Sequence, residues 1–357
     1  MRCGRPGGVF HVHLDGDFLP DAAVAEGRRG RRAAVRVTGS RSPECDEDTR
    51  IRREPEPVLS VVVTIVDGGS ALGRCLRALS AQANSPPLEI LVPCDDTVEG
   101  VDELVGGIAD ARVVRMGRVD TVRPATGFAG QHELYDRRRA AGLRAASGEF
   151  VAMLEDRSVP RPDWARRALE ELGQGWAAVG GAIENAVDRP LNWAVYLCDF
   201  GPYRLPLTGG PTDRLSDVNV AYPRTALDAV RPTWERRYHE PEVHAALLES
   251  GAGLCLSPWM IVDQMRDGVR FRALLAERFH WARLYAARRA ERLGGARRWL
   301  LAVGAPALPL VLLWRSCRLQ LQKRRNTRSF LLALPAIAAL LIAWSAGETA
   351  GYLTGRP

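Results

Sequence analysis

From Leu59 onward, short wholly apolar runs alternate with longer segments whose apolar residues recur every three or four positions. "LSVVVTIV" (59–66) is a β-branched run with no polar face, the pattern of a strand buried on both sides. "SALGRCLRALSAQ" follows, with Leu72, Leu76 and Leu79 on one helical face. The alternation continues through "LEILVPC" (strand), "VDELVGGIA" (helix), "ARVVRMG" (strand), "LYDRRRAAGLRAASG" (helix) and "EFVAMLE" (strand). "PDWARRALEELGQ" reads as a helix opened by Pro162 and Asp163, and "WAAVGGAI" as the next strand. This predicts an α/β fold, a mostly parallel sheet flanked by helices. Ligands of such sheets sit at the carboxyl ends of strands, here Thr64–Asp67, Cys94–Thr97 and Glu155–Arg157.

Two regions depart from the pattern. Residues 1–56 are charge-mixed, with no sustained apolar period and no apolar stretch of a secretory signal, so they are expected to be poorly ordered. Near the other end lie "WLLAVGAPALPLVLLW" (Trp299–Trp314) and "FLLALPAIAALLIAWSA" (Phe330–Ala346). Both fall slightly short of the ~20 residues of a full span. Each is flanked by arginines, and core helices are rarely apolar on all sides. The chain therefore divides into an extension (1–56), a central domain (57–296) and a membrane-associated helical segment (297–357).

Composition narrows the field. With 46% hydrophobic and 25% charged residues, the chain can build a large core. The net charge of +7 fits nucleic acid, an anionic membrane surface or anionic small substrates. No nucleic-acid-binding motif is present, so the charge is assigned to membrane lipid and substrate. The seven cysteines form no CxxC pair and no zinc-type spacing, which reads as reduced, cytosolic usage. Gly68, Gly69 and Gly73 lack the GxGxxG spacing of a dinucleotide site, and no GxxxxGK[ST] phosphate loop exists.

Five segments in order, spanning Leu59 to about Val262, resemble the family 2 glycosyltransferases. They are "LSVVVTIVDGGSALGRCLRALSAQ", "LEILVPCDDT", "RRRAAGLRAASGEFVAMLEDRSVPRPDW", "DVNVAYPRTAL" and "HEPEVHAALLESGAGLCLSP". The resemblance implies the GT-A fold and transfer of a sugar from a nucleotide-diphosphate donor to an acceptor hydroxyl. It also implies roles for single residues. Asp95 would accept from the nucleotide base, with Thr64 beside it and Asp67 nearby. Arg139 matches the arginine of the family's donor-side helix. Arg137, Arg138 and Arg139 point roughly 100° apart, so they cannot all face one ligand. Asn219 and His239 fall on the acceptor side, and Glu240 in the position of the catalytic base, with Glu242 as its competitor.

The family's Asp-x-Asp, which binds Mg²⁺ or Mn²⁺ against the diphosphate, is replaced by Glu155, Asp156 and Arg157. Either Asp156, with Glu155, holds the metal while phosphates complete its shell, or Arg157 neutralises the diphosphate directly. A catalytically silent partner in a polysaccharide assembly complex is the alternative function. The cysteine usage and basic flanks put the central domain on the cytoplasmic side of a plasma or inner membrane. There a lipid-linked or glycan acceptor lies within reach, as in cell-envelope or exopolysaccharide synthesis.

Overall fold

A computed structural model describes residues 57–125, 127–291 and 293–356. The expectation for residues 1–56 lies outside the described residues. One sheet carries β1 (Leu59–Thr64), β2 (Leu88–Asp95), β3 (Ala111–Gly117), β4 (Phe150–Glu155), β5 (Ser158–Pro160), β6 (Ala178–Asn185), β7 (Gly210–Thr212), β8 (Asn219–Pro223) and β9 (Leu254–Gln264). The spatial order is β3-β2-β1-β4-β8-β6-β9-β5, with β7 also paired to β9. The helices are α1 (Gly69–Ser80), α2 (Val101–Gly106), α3 (Phe128–Ala145), α4 (Trp164–Leu172), α5 (Pro190–Phe200), α6 (Arg224–Ala229), α7 (Glu240–Glu249), α8 (Phe271–Glu291), α9 (Gly295–Gly304), α10 (Leu308–Lys323) and α11 (Thr327–Thr354).

The ladders β1–β2, β1–β4, β2–β3 and β6–β9 are parallel, β6–β9 having the longest register, and the sheet has the mostly parallel GT-A character expected. β8 departs from it by running antiparallel between β4 and β6. The wholly apolar strands divide their side chains between two layers, as a period of two requires. Val61 and Val63 pack with Leu72, Leu76 and Leu79 of α1, whereas Val62 packs on the opposite face with Ala140 and Leu143 of α3. Full burial of one such leucine stabilises by about 1.5–3 kcal/mol, so both faces commit the strand to its position.

Phe330, Ala333, Ile337, Leu340 and Leu341 of α11 belong to the same apolar core as β1 and α5. Further along, α11 meets α8 backbone to backbone. A Cβ at Gly347 would stand 2.1 Å from Phe279 O, and one at Gly351 would stand 2.5 Å from Arg283 O. Glycine alone permits this approach. The outward side of α11 exposes Leu331, Leu332, Ile342 and Leu353, and Trp299, Leu300, Val303, Leu310 and Trp314 are exposed on α9 and α10. The segments Gly295–Lys323 and Thr327–Thr354 are long and apolar enough to cross a membrane.

Candidate active site

The chain runs from β1 outward to β2 and β3, then returns through α3 to β4 on the other side of β1. This reversal opens a crevice at the carboxyl ends of β1 and β4, the usual ligand position in an open α/β sheet. Thr64 and Glu155 are in register across it. Thr64 is fully buried, and its Oγ1 has no hydrogen-bond partner among the described residues. Beside it, Asp156 Oδ2 accepts the backbone N–H groups of Val66 (3.0 Å), Asp67 (2.9 Å) and Gly68 (2.6 Å). Gly68 and Gly69, both at positive φ, let the loop wrap one carboxylate oxygen in this way. Burial and then the charge of Asp67 push Asp156 up to about 6, against the pull of those N–H groups and Arg157.

Asp95 ends β2. Its Oδ1 accepts from Thr97 N (3.0 Å) and Thr97 Oγ1 (2.5 Å), and its Oδ2 from Arg138 Nε at 2.6 Å. Arg138 also donates to Ile65 O (2.7 Å), tying the end of β2 to the loop after β1. Burial raises the Asp95 carboxyl, but Arg138 and Thr97 outweigh it and hold it below the usual range. Asp95 is therefore an ionised acceptor at the strand edge.

Two residues singled out in the sequence lie among protein partners. Arg139, expected on the nucleotide, is wholly buried among Asp217 (2.8 Å), Glu155 (3.2 Å) and Asp136 (3.6 Å). The helix turn between neighbours sends Arg138, not Arg139, to Asp95. Asn219, expected on the acceptor side, is also fully buried; it accepts from Trp164 Nε1 (2.8 Å) and donates to Ala182 O (3.0 Å) and Met260 O (2.9 Å). It joins strands where Gly181, whose Cβ would stand 1.8 Å from Met260 O, lets them close in.

Arg157 is 2% exposed and forms a two-pronged pair with Asp67, Nε and Nη2 each 2.6 Å from a carboxylate oxygen. Its two-pronged partner is thus Asp67 on the facing loop, and the charges of Glu155 and Asp156 also act on it. Glu240 opens α7 and is buried; its Oε2 accepts from Asp217 N (3.2 Å), and its Oε1 lies 3.4 Å from His244 Nδ1. His244 Nε2 bonds the Tyr222 hydroxyl (2.7 Å), which bonds Tyr238 (2.7 Å). His239 is partly exposed, with Nδ1 3.6 Å from Glu242, and its ring lies 6.3 Å from that of His132. Asp217 links the two halves: its carboxylate meets Arg139 and its N–H meets Glu240. Arg138, Asp217 and His244 were not singled out from the sequence. The period of α3 carried a signal for Arg138, since the arginine facing β2 must stand one helix position from the one facing Glu155.

The divalent ion implied by the family finds a poor donor set. Asp67 is engaged by Arg157, Glu155 by Arg139, and Asp156 Oδ2 by three N–H groups. One carboxylate oxygen, Asp156 Oδ1, remains buried and unpartnered, with a guanidinium on the next residue. No group of three ligating side chains occurs among the described residues. Mg²⁺ and Mn²⁺ favour six oxygen donors; beside this one unpartnered carboxylate oxygen stands the Arg157 guanidinium, where the family's pattern has a second carboxylate.

An open sheet with a switch-point crevice and acidic residues at its strand ends is the ligand-binding arrangement of an α/β protein. A family model described as "Glycosyltransferase like family 2" matches residues 55–241, and the chain belongs to that family. The match supports glycosyl transfer as its role. Among solved structures, one titled "Crystal Structure of a Mycobacterial Protein" superposes with a TM-score of 0.43 at 14% identity, over 64% of this chain and 73% of that one. No curated protein matches the chain.

Proposed function

We propose that the protein transfers a sugar from a nucleotide-diphosphate donor to a lipid-linked or glycan acceptor at the cytoplasmic face of a membrane, in cell-envelope polysaccharide synthesis. The observation carrying this reading is the convergence of Thr64, Asp95 and Glu155–Arg157 on one crevice at the ends of three adjacent parallel strands. The ionised Asp95 suits a base N–H, and the Thr64 hydroxyl needs a partner that a bound nucleotide would bring. Glu240 takes the proton of the acceptor hydroxyl as its oxygen bonds the anomeric carbon. The bond from that carbon to the diphosphate breaks, and its electron pair leaves on the diphosphate oxygen. His244 orients Glu240, as a second hydrogen-bonded group commonly does for a base. The exposed apolar faces of α9, α10 and α11 support a membrane location.

A panel of nucleotide sugars, offered to the full-length protein in detergent with lipid phosphate or glycan acceptors, tests the reading. Release of nucleoside diphosphate that depends on Glu240 is expected. A second reading, a family member that binds without transferring, draws on the Arg157–Asp67 pair spanning the crevice. It is favoured if a nucleoside diphosphate binds and no donor turns over.

A further inference from the structure

The charges behind the crevice are unusual for a site meant to hold a dication. Met265 N donates to Arg157 O (2.8 Å), extending the β5–β9 ladder by one step, and Arg266 follows one residue on, near enough for the two charges to act on each other. Arg266 is buried and pairs with Glu277 at 2.9 Å. Arg74 on α1 pairs with Asp267 at 2.6 Å, at the rim. Burial works to raise the Asp67 carboxyl, yet the charges of Arg157, Arg266 and Arg74 hold it below its usual range. Burial and the charge of Arg157 press Arg266 down to about 10. Asp67 therefore pairs directly with Arg157 and lies within the field of Arg266 and Arg74, each of which is held by an acid of its own.

Asp67 is the more accessible member. It sits on the loop between β1 and α1 with a side chain 26% exposed, whereas Arg157 is fixed by burial in the strand edge. A diphosphate presents more oxygens and more charge than a carboxylate to the same planar forks. We infer that Arg157, Arg266 and Arg74 form a clamp that neutralises the donor diphosphate without a divalent cation, and that Asp67 occupies the anion seat until the donor displaces it. The clamp stabilises the departing diphosphate, while the proton of the acceptor goes to Glu240 as described. This rests on the nucleotide-sugar reading above and adds to it the means of charge neutralisation.

The test is calorimetric titration of the full-length protein in detergent with UDP, GDP, ADP, CDP and TDP and with the corresponding nucleosides, each in EDTA and in Mn²⁺. The nucleoside diphosphate that binds is expected to have a Kd in EDTA within about threefold of that in Mn²⁺. Arg157→Gln and Arg266→Gln are each expected to weaken its binding roughly ten- to a hundred-fold, leaving nucleoside binding unchanged. Arg74→Gln, at a rim position with a quarter of its side chain exposed, is expected to weaken it several-fold. Asp67→Asn is expected to tighten it several-fold by emptying the seat. Binding that requires Mn²⁺ would overturn the clamp while leaving glycosyl transfer in place. Absence of binding by every nucleotide in both buffers would overturn the clamp together with the function on which it rests. An Asp67→Asn variant that binds diphosphate more weakly than the wild type would show that Asp67 is a ligand, not a stand-in.

Discussion

Replacing Arg139 by methionine removes the cation that three buried carboxylates share, although Asp136 keeps His132 at 3.3 Å. Asp217, Glu155 and Asp136 lie 2.8, 3.2 and 3.6 Å from its guanidinium and are themselves at most 2% exposed. Withdrawing the partner of a buried charge costs about 3–5 kcal/mol, because the remaining charge keeps its desolvation penalty. For a domain of this size each kcal/mol moves the melting temperature by about 2–4 °C, so a fall of roughly 6–20 °C is expected. Tryptophan fluorescence during thermal unfolding of the detergent-solubilised protein reads it. The loss is expected to shrink at pH 5, where the stranded carboxylates take up protons. Adding Asp217→Asn and Glu155→Gln to Arg139→Met is expected to restore most of the loss, since neutral side chains of similar shape carry no such penalty. A melting temperature within 2 °C of wild type for the single variant would refute the assignment of Arg139 to a structural ion cluster. So would a triple variant no more stable than the single one.

Four further outcomes follow from the geometry. Glu240→Gln is expected to leave nucleoside diphosphate affinity unchanged while turnover falls by about 10²-fold or more; unchanged transfer would remove it as base. Burial pushes Glu277 up to about 7 against Arg266 and Arg278, above its unfolded value of 4.5. The stability tied to its protonated form is thus complete below pH 4.5 and lost as the pH rises through 7, so wild type should lose melting temperature relative to Glu277→Gln across that window and run parallel to it above. Gly351→Val should drive a side chain into Arg283 O and Ala286 and cost about 1–3 kcal/mol or more, read as a lower melting temperature; Ala350→Val, on the same helix turn, is the comparison. Purification of the full-length chain from the soluble fraction without detergent would contradict membrane association through α9–α11.

Where side chains follow the solvent rule, the elements were legible. β1, β2, β4 and β6 are apolar on both faces and fall where the runs "LSVVVTIV", "LEILVPC", "EFVAMLE" and "WAAVGGAI" put them. α3 starts at Phe128, six residues before the segment "LYDRRRAAGLRAASG" that marked it. Its buried face includes His132, Glu133, Asp136, Arg138 and Arg139, so the polar residues that build the site erase the apolar period. α8 hides Glu277 and Arg278 in the same way. β8 is five residues long and antiparallel, a type that strand–helix alternation does not announce. In the site, residue type was readable but partnership was not. The acids and arginines were visible at the strand ends, but the pairing of Arg157 with Asp67, 90 positions away, is a tertiary fact.

The position of α11 bears on how the protein is made. One side of this helix completes the core that also holds β1 and α5, while the other presents Leu331, Leu332, Ile342 and Leu353 outward. It is synthesised after every strand of the sheet, so the nascent sheet waits with an uncovered apolar floor until the helix arrives. A chaperone that holds the growing chain must therefore shield that floor and release it late. Completion of the core beneath β1 is thereby coupled to delivery of the helix.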